Sequence, residues 1–344
     1  LKRLASTLIM VASCGGAIAQ DAPAPQALPM VEITPELDES VARGLAFLAS
    51  QQNDDGSFGD GAWGRGVAVT SLAALAFMAD GQMPGRGQYG EHVRKALDYV
   101  LARSGESGLL ADDQAPSPMY GHGFAALFLG EVYGMSGGDE ALQERLHEAL
   151  VKAVRLIERS QNEEGGWRYN PVPNDADVSV TICQVMALRS ARNAGIEVSG
   201  EVIDNAVEYV KACQNPDGGF RYQTRNGSSA WPRSAAGVAA LYYAGEFTDE
   251  AIDPGVNYLI REALPGQGLR RGYFFYGHYY AVQAMYLAGG DAWRTWWPAA
   301  RRELIDLQSP NGEWPDRTVG TAYGTAMSLI VLQMPKRYLP IYQK

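Results

Sequence analysis

One spacing recurs four times in this chain and restricts its architecture more than any other feature. Gln52, Gly56 and Phe58 are matched at the same intervals by Gln161, Gly165 and Trp167, by Gln214, Gly218 and Phe220, and by Gln308, Gly312 and Trp314. Each set reads Gln, three residues, Gly, one residue, aromatic. Before each string runs a segment with apolar residues at helical spacing, over 41–50, 151–160, 202–213 and 299–307. After each string comes a loop and then a more uniformly apolar, Ala-rich segment, over 67–79, 178–191, 235–244 and 322–333. A helix that is apolar all round is a buried helix. The unit is therefore an outer amphipathic helix, a glycine turn and an inner buried helix.

Two further units keep the helices without the glutamine. Residues 93–103 lead through Gly105 and Gly108 to 121–133, and residues 255–263 lead through Gly266 and Gly268 to 278–288. Equivalent inner positions are Leu75, Leu127, Leu188, Leu241, Met285 and Leu332, separated by 52, 61, 53, 44 and 47 residues. A period near 50 with two helices per period is an α-repeat array. Open arrays need polar end caps, yet the first and last units here resemble the others. The expectation is an all-α (α/α)6 toroid over residues 34–344, with six inner and six outer helices around a central funnel. The turn glycine suits a left-handed helix end. The glutamine amide and the aromatic are expected to tie each loop to the neighbouring repeat, a stabilising role. Glycine supplies 39 of 344 residues, against a usual share of about 7%, and the excess falls largely at these turns.

The first residues read as an address. Lys2 and Arg3 precede an apolar run over 4–12, and Ala17-Ile18-Ala19 before Gln20 fits a small-residue cleavage site. Residues 1–19 are thus expected to be a signal peptide. In a second scheme Val11-Ala12-Ser13-Cys14 resembles a bacterial lipobox and Cys14 becomes a lipidated first residue; simple cleavage is the favoured scheme. Residues 20–33, with Pro23, Pro25 and Pro29, form an Ala/Pro-rich linker. The expected location is exported: periplasmic, secreted or lipid-anchored. No later segment is apolar and long enough for a transmembrane helix. Acidic residues number 39 against 29 Lys and Arg, a net charge of −10, which argues against a nucleic-acid partner. The remaining cysteines, Cys183 and Cys213, are expected as buried free thiols, with a disulfide geometrically open to them.

The strings resemble the QW motifs of squalene–hopene and oxidosqualene cyclases and the related repeats of protein prenyltransferase β subunits, over residues 34–335. That resemblance implies the α/α-toroid and says little by itself about chemistry. In squalene–hopene cyclases a Gly-Gly-Trp repeat leads to an Asp-x-Asp-Asp-Thr-Ala run at the start of an inner helix. Here Gly165-Gly166-Trp167-Arg168-Tyr169 leads to Asp175-Ala176-Asp177-Val178-Ser179-Val180. Asp175 and Asp177 match the first two aspartates, the second being that family's proton donor. Val178 replaces the third. An acid for alkene protonation must be kept protonated, and a neighbouring carboxylate or burial raises its pKa. A carbocation then needs aromatic faces, and Trp63, Tyr169, Trp231, Tyr276, Tyr280 and Tyr323 are the candidates. The competing reading is that Asp175 and Asp177 only cap the helix.

Tyr120-Gly121-His122 and Tyr276-Gly277-His278 are a repeated tripeptide at inner-helix starts. His122 is a candidate ligand contact and His278 a candidate catalytic partner of the aspartates, while a structural histidine is the better single expectation for each. The zinc set of prenyltransferases is not matched, because no cysteine accompanies the aspartates, so no metal or other cofactor is expected. Three functions remain. The first is a diverged toroid that binds an apolar, isoprenoid-like small molecule or a partner protein in its funnel. The second is a class II terpene cyclase-like enzyme with Asp177 as donor. The third is a carbohydrate-active α/α-toroid enzyme using paired carboxylates.

Overall fold

A computed structural model describes residues 32–59, 66–112, 115–267 and 272–343. The leader, Cys14, most of the linker and Trp63 lie outside these residues. Among the described residues there are twelve α-helices: α1 (Pro35–Ser50), α2 (Val67–Met78), α3 (Gly90–Leu101), α4 (Pro118–Met135), α5 (Glu140–Ser160), α6 (Val178–Asn193), α7 (Gly200–Ala212), α8 (Trp231–Ala244), α9 (Ile252–Ala263), α10 (Phe274–Ala288), α11 (Gly290–Leu307) and α12 (Thr321–Gln333).

The even-numbered helices form the inner ring. Each packs on the next, from α2 to α4, α6, α8, α10 and α12, and α12 returns to α2. Odd-numbered helices pack outside them, and α1 closes the outer layer against α12. The burial pattern follows the hydrophobic pattern. α1 buries the stripe Leu37, Val41, Leu45 and Leu48 and exposes its opposite face. Every residue of α2 except Ala68 is buried. Outer helices α5 and α11 begin well before the spacing predicted, at Glu140 and Gly290. In α5 the extra turns start from a cap, the Asp139 carboxylate accepting the Leu142 N–H at 3.0 Å. In α11 they carry the stacked pair Trp293 and Trp297, 5.1 Å apart, into the core.

The recurring turn does what its residue types predict. Four glutamine amides each donate twice, once inside their own turn and once to the outer helix of the next repeat. Gln52 Nε2 bonds Gly56 O and His92 O at 3.0 and 2.9 Å. Gln161 bonds Gly165 O and Val202 O, both at 2.8 Å. Gln214 bonds Gly218 O and Ala251 O at 3.0 and 2.8 Å. Gln308 bonds Gly312 O and Ser40 O at 3.0 and 2.9 Å, and so joins the last repeat to the first.

All six repeats keep the turn glycine in the left-handed region, with φ between 86° and 99° at Gly56, Gly108, Gly165, Gly218, Gly266 and Gly312. At Gly165 a Cβ would lie 2.1 Å from the Asn205 carbonyl oxygen, so the turn demands glycine for its contact as well as its backbone. The aromatics Phe58, Trp167, Phe220 and Trp314 are all buried. Their backbone N–H groups donate to inner-helix hydroxyls, of Thr70, Thr181, Ser234 and Thr325, at 3.0, 3.2, 2.8 and 3.1 Å.

Two short 3₁₀ turns follow α12, Met334–Lys336 and Pro340–Tyr342. The second reaches the ring at the end away from the inner-helix N-termini. There Ile341 N–H donates to the buried Glu131 carboxylate at 3.1 Å, and Ser190 Oγ donates to its other oxygen at 2.7 Å.

Candidate functional site

The inner-helix N-termini gather at one end of the ring, and each leaves backbone N–H groups without intrahelical partners. The neighbouring loops satisfy them. Tyr169 O accepts Met119 N–H of α4 at 3.1 Å, and Tyr222 O accepts Val178 N–H of α6 at 3.1 Å. At α2 a side chain substitutes, Asp112 Oδ2 accepting Val67 N–H at 2.8 Å. Each of these residues stands two positions after the buried turn residue, Trp167, Phe220 or Leu110. The repeat register thus brings Tyr169 and Tyr222 to the mouth.

Asp177 is the N-cap of α6 and is 0% exposed. Its Oδ1 accepts Val180 N–H at 3.0 Å and the Ser179 hydroxyl at 2.5 Å. Its Oδ2 accepts the Tyr222 hydroxyl at 3.1 Å, with the Arg168 guanidinium 3.8 Å away. Burial pushes the carboxyl above the usual aspartate range, and the hydrogen bonds and Arg168 oppose that rise. Around it the Tyr120 hydroxyl donates to Ser179 Oγ at 3.0 Å, and the Tyr169 and Tyr222 hydroxyls are in direct contact. Arg168 stacks over the rings of Tyr169 and Tyr222, 5.0 and 5.7 Å from their centroids.

Farther in, Tyr276 Oη donates to Ser179 O at 3.2 Å, and Tyr280 Oη meets Cys183 Sγ at 3.3 Å. Tyr323 lies on the first turn of α12, its hydroxyl held above the ordinary range chiefly by burial. Among the described residues the group is therefore one buried carboxyl enclosed by tyrosines and flanked by one arginine. Sequence reasoning named Asp177, Tyr169, Tyr276 and Tyr280 and missed Tyr120, Ser179, Tyr222 and Arg168. The register of Trp167 to Tyr169, repeated from Phe220 to Tyr222, was the available signal for Tyr222.

Other candidates stand elsewhere. Asp175 is half exposed, pairs with Arg168 and lines an outer groove of about 360 Å³ with Glu163, Glu164, Asn174 and Arg225. It does not form a buried carboxyl pair with Asp177. His122 has a structural position. Its Nδ1 accepts Leu110 N–H at 3.1 Å, the place taken by a Thr or Ser hydroxyl in four other repeats, and its Nε2 faces Ala153 O of α5 at 3.3 Å. His278 is packed against Trp231 and Phe274, with Nε2 3.5 Å from Glu303 of the outer helix α11. It lies between the two rings, apart from Asp177. Burial depresses these imidazoles to about 4 and about 3. Trp231 packs onto α10, where a Cβ on Gly277 would strike its ring at 2.1 Å. Cys183 and Cys213 are buried free thiols. Among the described residues no group of three or more His, Cys, Asp or Glu is arranged to hold a metal, and no helix is long and apolar enough to cross a membrane.

A closed double ring of helices with this turn belongs to a known class of proteins. The model of the prenyltransferase α/α-toroid domain matches residues 26–270, and the chain belongs to that family. A drimenyl diphosphate synthase from Streptomyces showdoensis is 29% identical over 177 residues, which span 47% of this chain and 32% of that relative's length. Among solved structures, the type II terpene cyclase MstE from Scytonema superposes with a TM-score of 0.60 at 16% identity, covering 89% of this chain and 100% of its own. A variant of the same cyclase is in complex with geranylgeranyl dihydroxybenzoate. An inactive variant of the α-1,6-mannanase GH76A of Salegentibacter sp. HEL1_6 in complex with α-1,6-mannotriose superposes with a TM-score of 0.63 at 10% identity, covering 86% and 98%. At these identities the structures establish the terpene cyclase-like fold.

Proposed function

We propose that this protein binds an apolar, isoprenoid-like small molecule at the mouth of its ring. The observation that carries the reading is the enclosure of one buried carboxyl, Asp177, by Tyr120, Tyr169, Tyr222 and Tyr276 at the inner-helix N-termini. Ring faces accept extended apolar chains and attract positive charge. The relative named a drimenyl diphosphate synthase and the cyclase complex with a geranylgeranyl ligand support this class of ligand.

Acid catalysis by Asp177 is the second reading, favoured by the burial that raises its pKa. A donor must carry a proton on the oxygen that meets the alkene. Asp177 Oδ2 accepts the Tyr222 hydroxyl, and as a carboxylic acid the same oxygen would carry a proton pointing away from Tyr222 and toward the alkene, so Tyr222 can go on donating to it. A glycosidase needs two carboxyls facing one cavity; Asp175 points to the outer groove, and the sugar reading has less support.

The test is incubation of the protein with farnesol, farnesyl diphosphate and squalene, wild type beside Asp177→Asn. Saturable binding by both proteins with no product supports the binding reading. A cyclised product lost in Asp177→Asn supports the catalytic one. No binding and no product in either protein overturns both. We also propose that residues 1–19 direct export. The mass of the mature protein decides between a start at Gln20 and a lipidated Cys14.

A further inference from the structure

The bore below Asp177 is occupied by the protein's own side chains. α10 presents Tyr276, Tyr279 and Tyr280 at spacings of three and four residues, hence on one face. None of the three reaches only toward a ring neighbour of α10. The neighbours of α10 are α8 and α12, α6 stands one place beyond α8, and α4 is directly opposite. Tyr276 crosses to the first turn of α6, with its hydroxyl 3.2 Å from Ser179 O. One turn deeper, Tyr280 crosses to Cys183 of the same helix at 3.3 Å. Tyr279 spans the full width and meets the Phe124 ring of α4 edge-on, with centroids 6.0 Å apart. The rings touch one another as well, Tyr276 to Tyr280 at 4.7 Å and Tyr279 to Tyr280 at 4.8 Å. Tyr279 and Tyr280 are 0% exposed.

A continuous stack of phenol rings therefore closes the ring partway down. Above it stand Asp177, Ser179 and Tyr120; below it lie Glu131, Ser190 and Tyr342. A ligand that enters at the mouth meets Tyr276 first and Tyr280 next. Among the described residues neither hydroxyl is held by a charged group: Tyr276 bonds a single carbonyl, and Tyr280 a thiol, a weak partner. The rings fill the bore by volume, so trimming one deepens the chamber without leaving a buried charge behind.

We propose that Tyr276 and Tyr280 set the depth of the ligand chamber and with it the length of isoprenoid chain the protein admits. The proposal rests on the binding reading given above. Shorter chains lie above Tyr276, and longer ones are excluded by the Tyr280 ring. Tyr280 is a specificity-determining residue on this view. Its phenol volume matters, and its hydroxyl does not.

The test compares the full-length wild type with Tyr280→Phe, Tyr280→Ala and Tyr280→Leu by calorimetric titration with farnesol and geranylgeraniol. Indole serves as a small apolar probe of the opened bore. Circular dichroism and melting curves establish that each variant is folded, and the leucine variant replaces the alanine one where the latter is not. The wild type and Tyr280→Phe are expected to prefer farnesol by at least about tenfold. Tyr280→Ala is expected to lose or reverse that preference and to bind indole, as an apolar cavity does. An unchanged ratio of the two affinities in a folded Tyr280→Ala or Tyr280→Leu overturns the proposal. If no protein binds either alcohol, the ligand class proposed above is wrong. In that case indole uptake by the trimmed variants alone still supports closure of the bore by Tyr280, and its absence overturns that too.

Discussion

Replacing Gly165 by alanine is expected to destabilise the ring more than the same change at Gly266, although the two backbones are nearly alike. Gly165 has φ of 94° and Gly266 of 87°. A left-handed backbone costs a residue with a Cβ roughly 1–2 kcal/mol, and both variants bear that cost. The surroundings differ. At Gly165 the new Cβ would lie 2.1 Å from the Asn205 carbonyl oxygen and 2.7 Å from its carbon, whereas at Gly266 it meets nothing within 4 Å. α7 must then move off the turn, and forced overpacking of this kind costs roughly 1–3 kcal/mol more. The expected losses are therefore about 1–2 kcal/mol for Gly266→Ala and about 2–5 kcal/mol for Gly165→Ala. Urea titrations followed by circular dichroism measure both, provided the slope with denaturant is the same in each variant. Equal losses would refute the reasoning, since the backbone alone would then explain the glycine and the tight seating of the turn on the next helix would carry no energy.

Gln308→Ala removes amide bonds to Gly312 O and Ser40 O, and a loss of roughly 1–3 kcal/mol is expected in the same titration. Burial raises the Glu131 carboxyl to about 7 from an ordinary value of 4.5. A raised acid contributes stability below its unfolded pKa that is lost as pH rises through the folded one. Wild type is thus expected to lose about 3 kcal/mol relative to Glu131→Gln between pH about 4.5 and 7, and parallel stability profiles would contradict this. His122 is depressed to about 4 from 6.5, so it contributes stability above pH 6.5 that is lost as pH falls toward 4. His122→Asn, which keeps an acceptor for Leu110 N–H, is expected to flatten that acid limb in melting experiments.

The ring was legible in the sequence because its turn uses residues with few substitutes. A glycine with left-handed φ, an amide that donates twice and a buried ring each leave a mark at a fixed position. Gly108 and Gly266 kept the turn visible where the glutamine is missing. Helix starts were less legible. α5 begins at Glu140 with a cap of its own, and Leu142, Leu146, Ala149 and Leu150 extend the helical spacing back from residue 151, a signal shared between Asp139 and the later turns. The site was read in part. Asp177 could be named from its resemblance to the cyclase aspartate, but whether Asp175 joined it depended on the path of a loop, which leaves Asp175 half exposed on the far side of Arg168 from the buried Asp177. His122 has a structural reason for its place, since it does the work of a turn hydroxyl, whereas His278 packs against Trp231 and Phe274 between the two rings. Tyr222 had no signal apart from register, and Tyr120 only its match to Tyr276 in the repeated tripeptide, because a tyrosine at a loop or helix start fits a core as readily as a mouth.

The bond from Gln308 to Ser40 joins residues 268 apart. Bringing the ends of so long a flexible chain together costs roughly 5 kcal/mol in entropy, more than that hydrogen bond returns. Closure must therefore draw on the packing of α1 against α12 and on the curvature that each formed repeat imposes on the next. An open array of repeats frays from its ends and survives the loss of a terminal unit. A closed one has no terminal unit. Displacing any single repeat uncovers two inner-helix faces at once, so the ring is expected to melt in one step. A chain nicked in a surface loop is expected to stay assembled, its pieces held by the circle they complete.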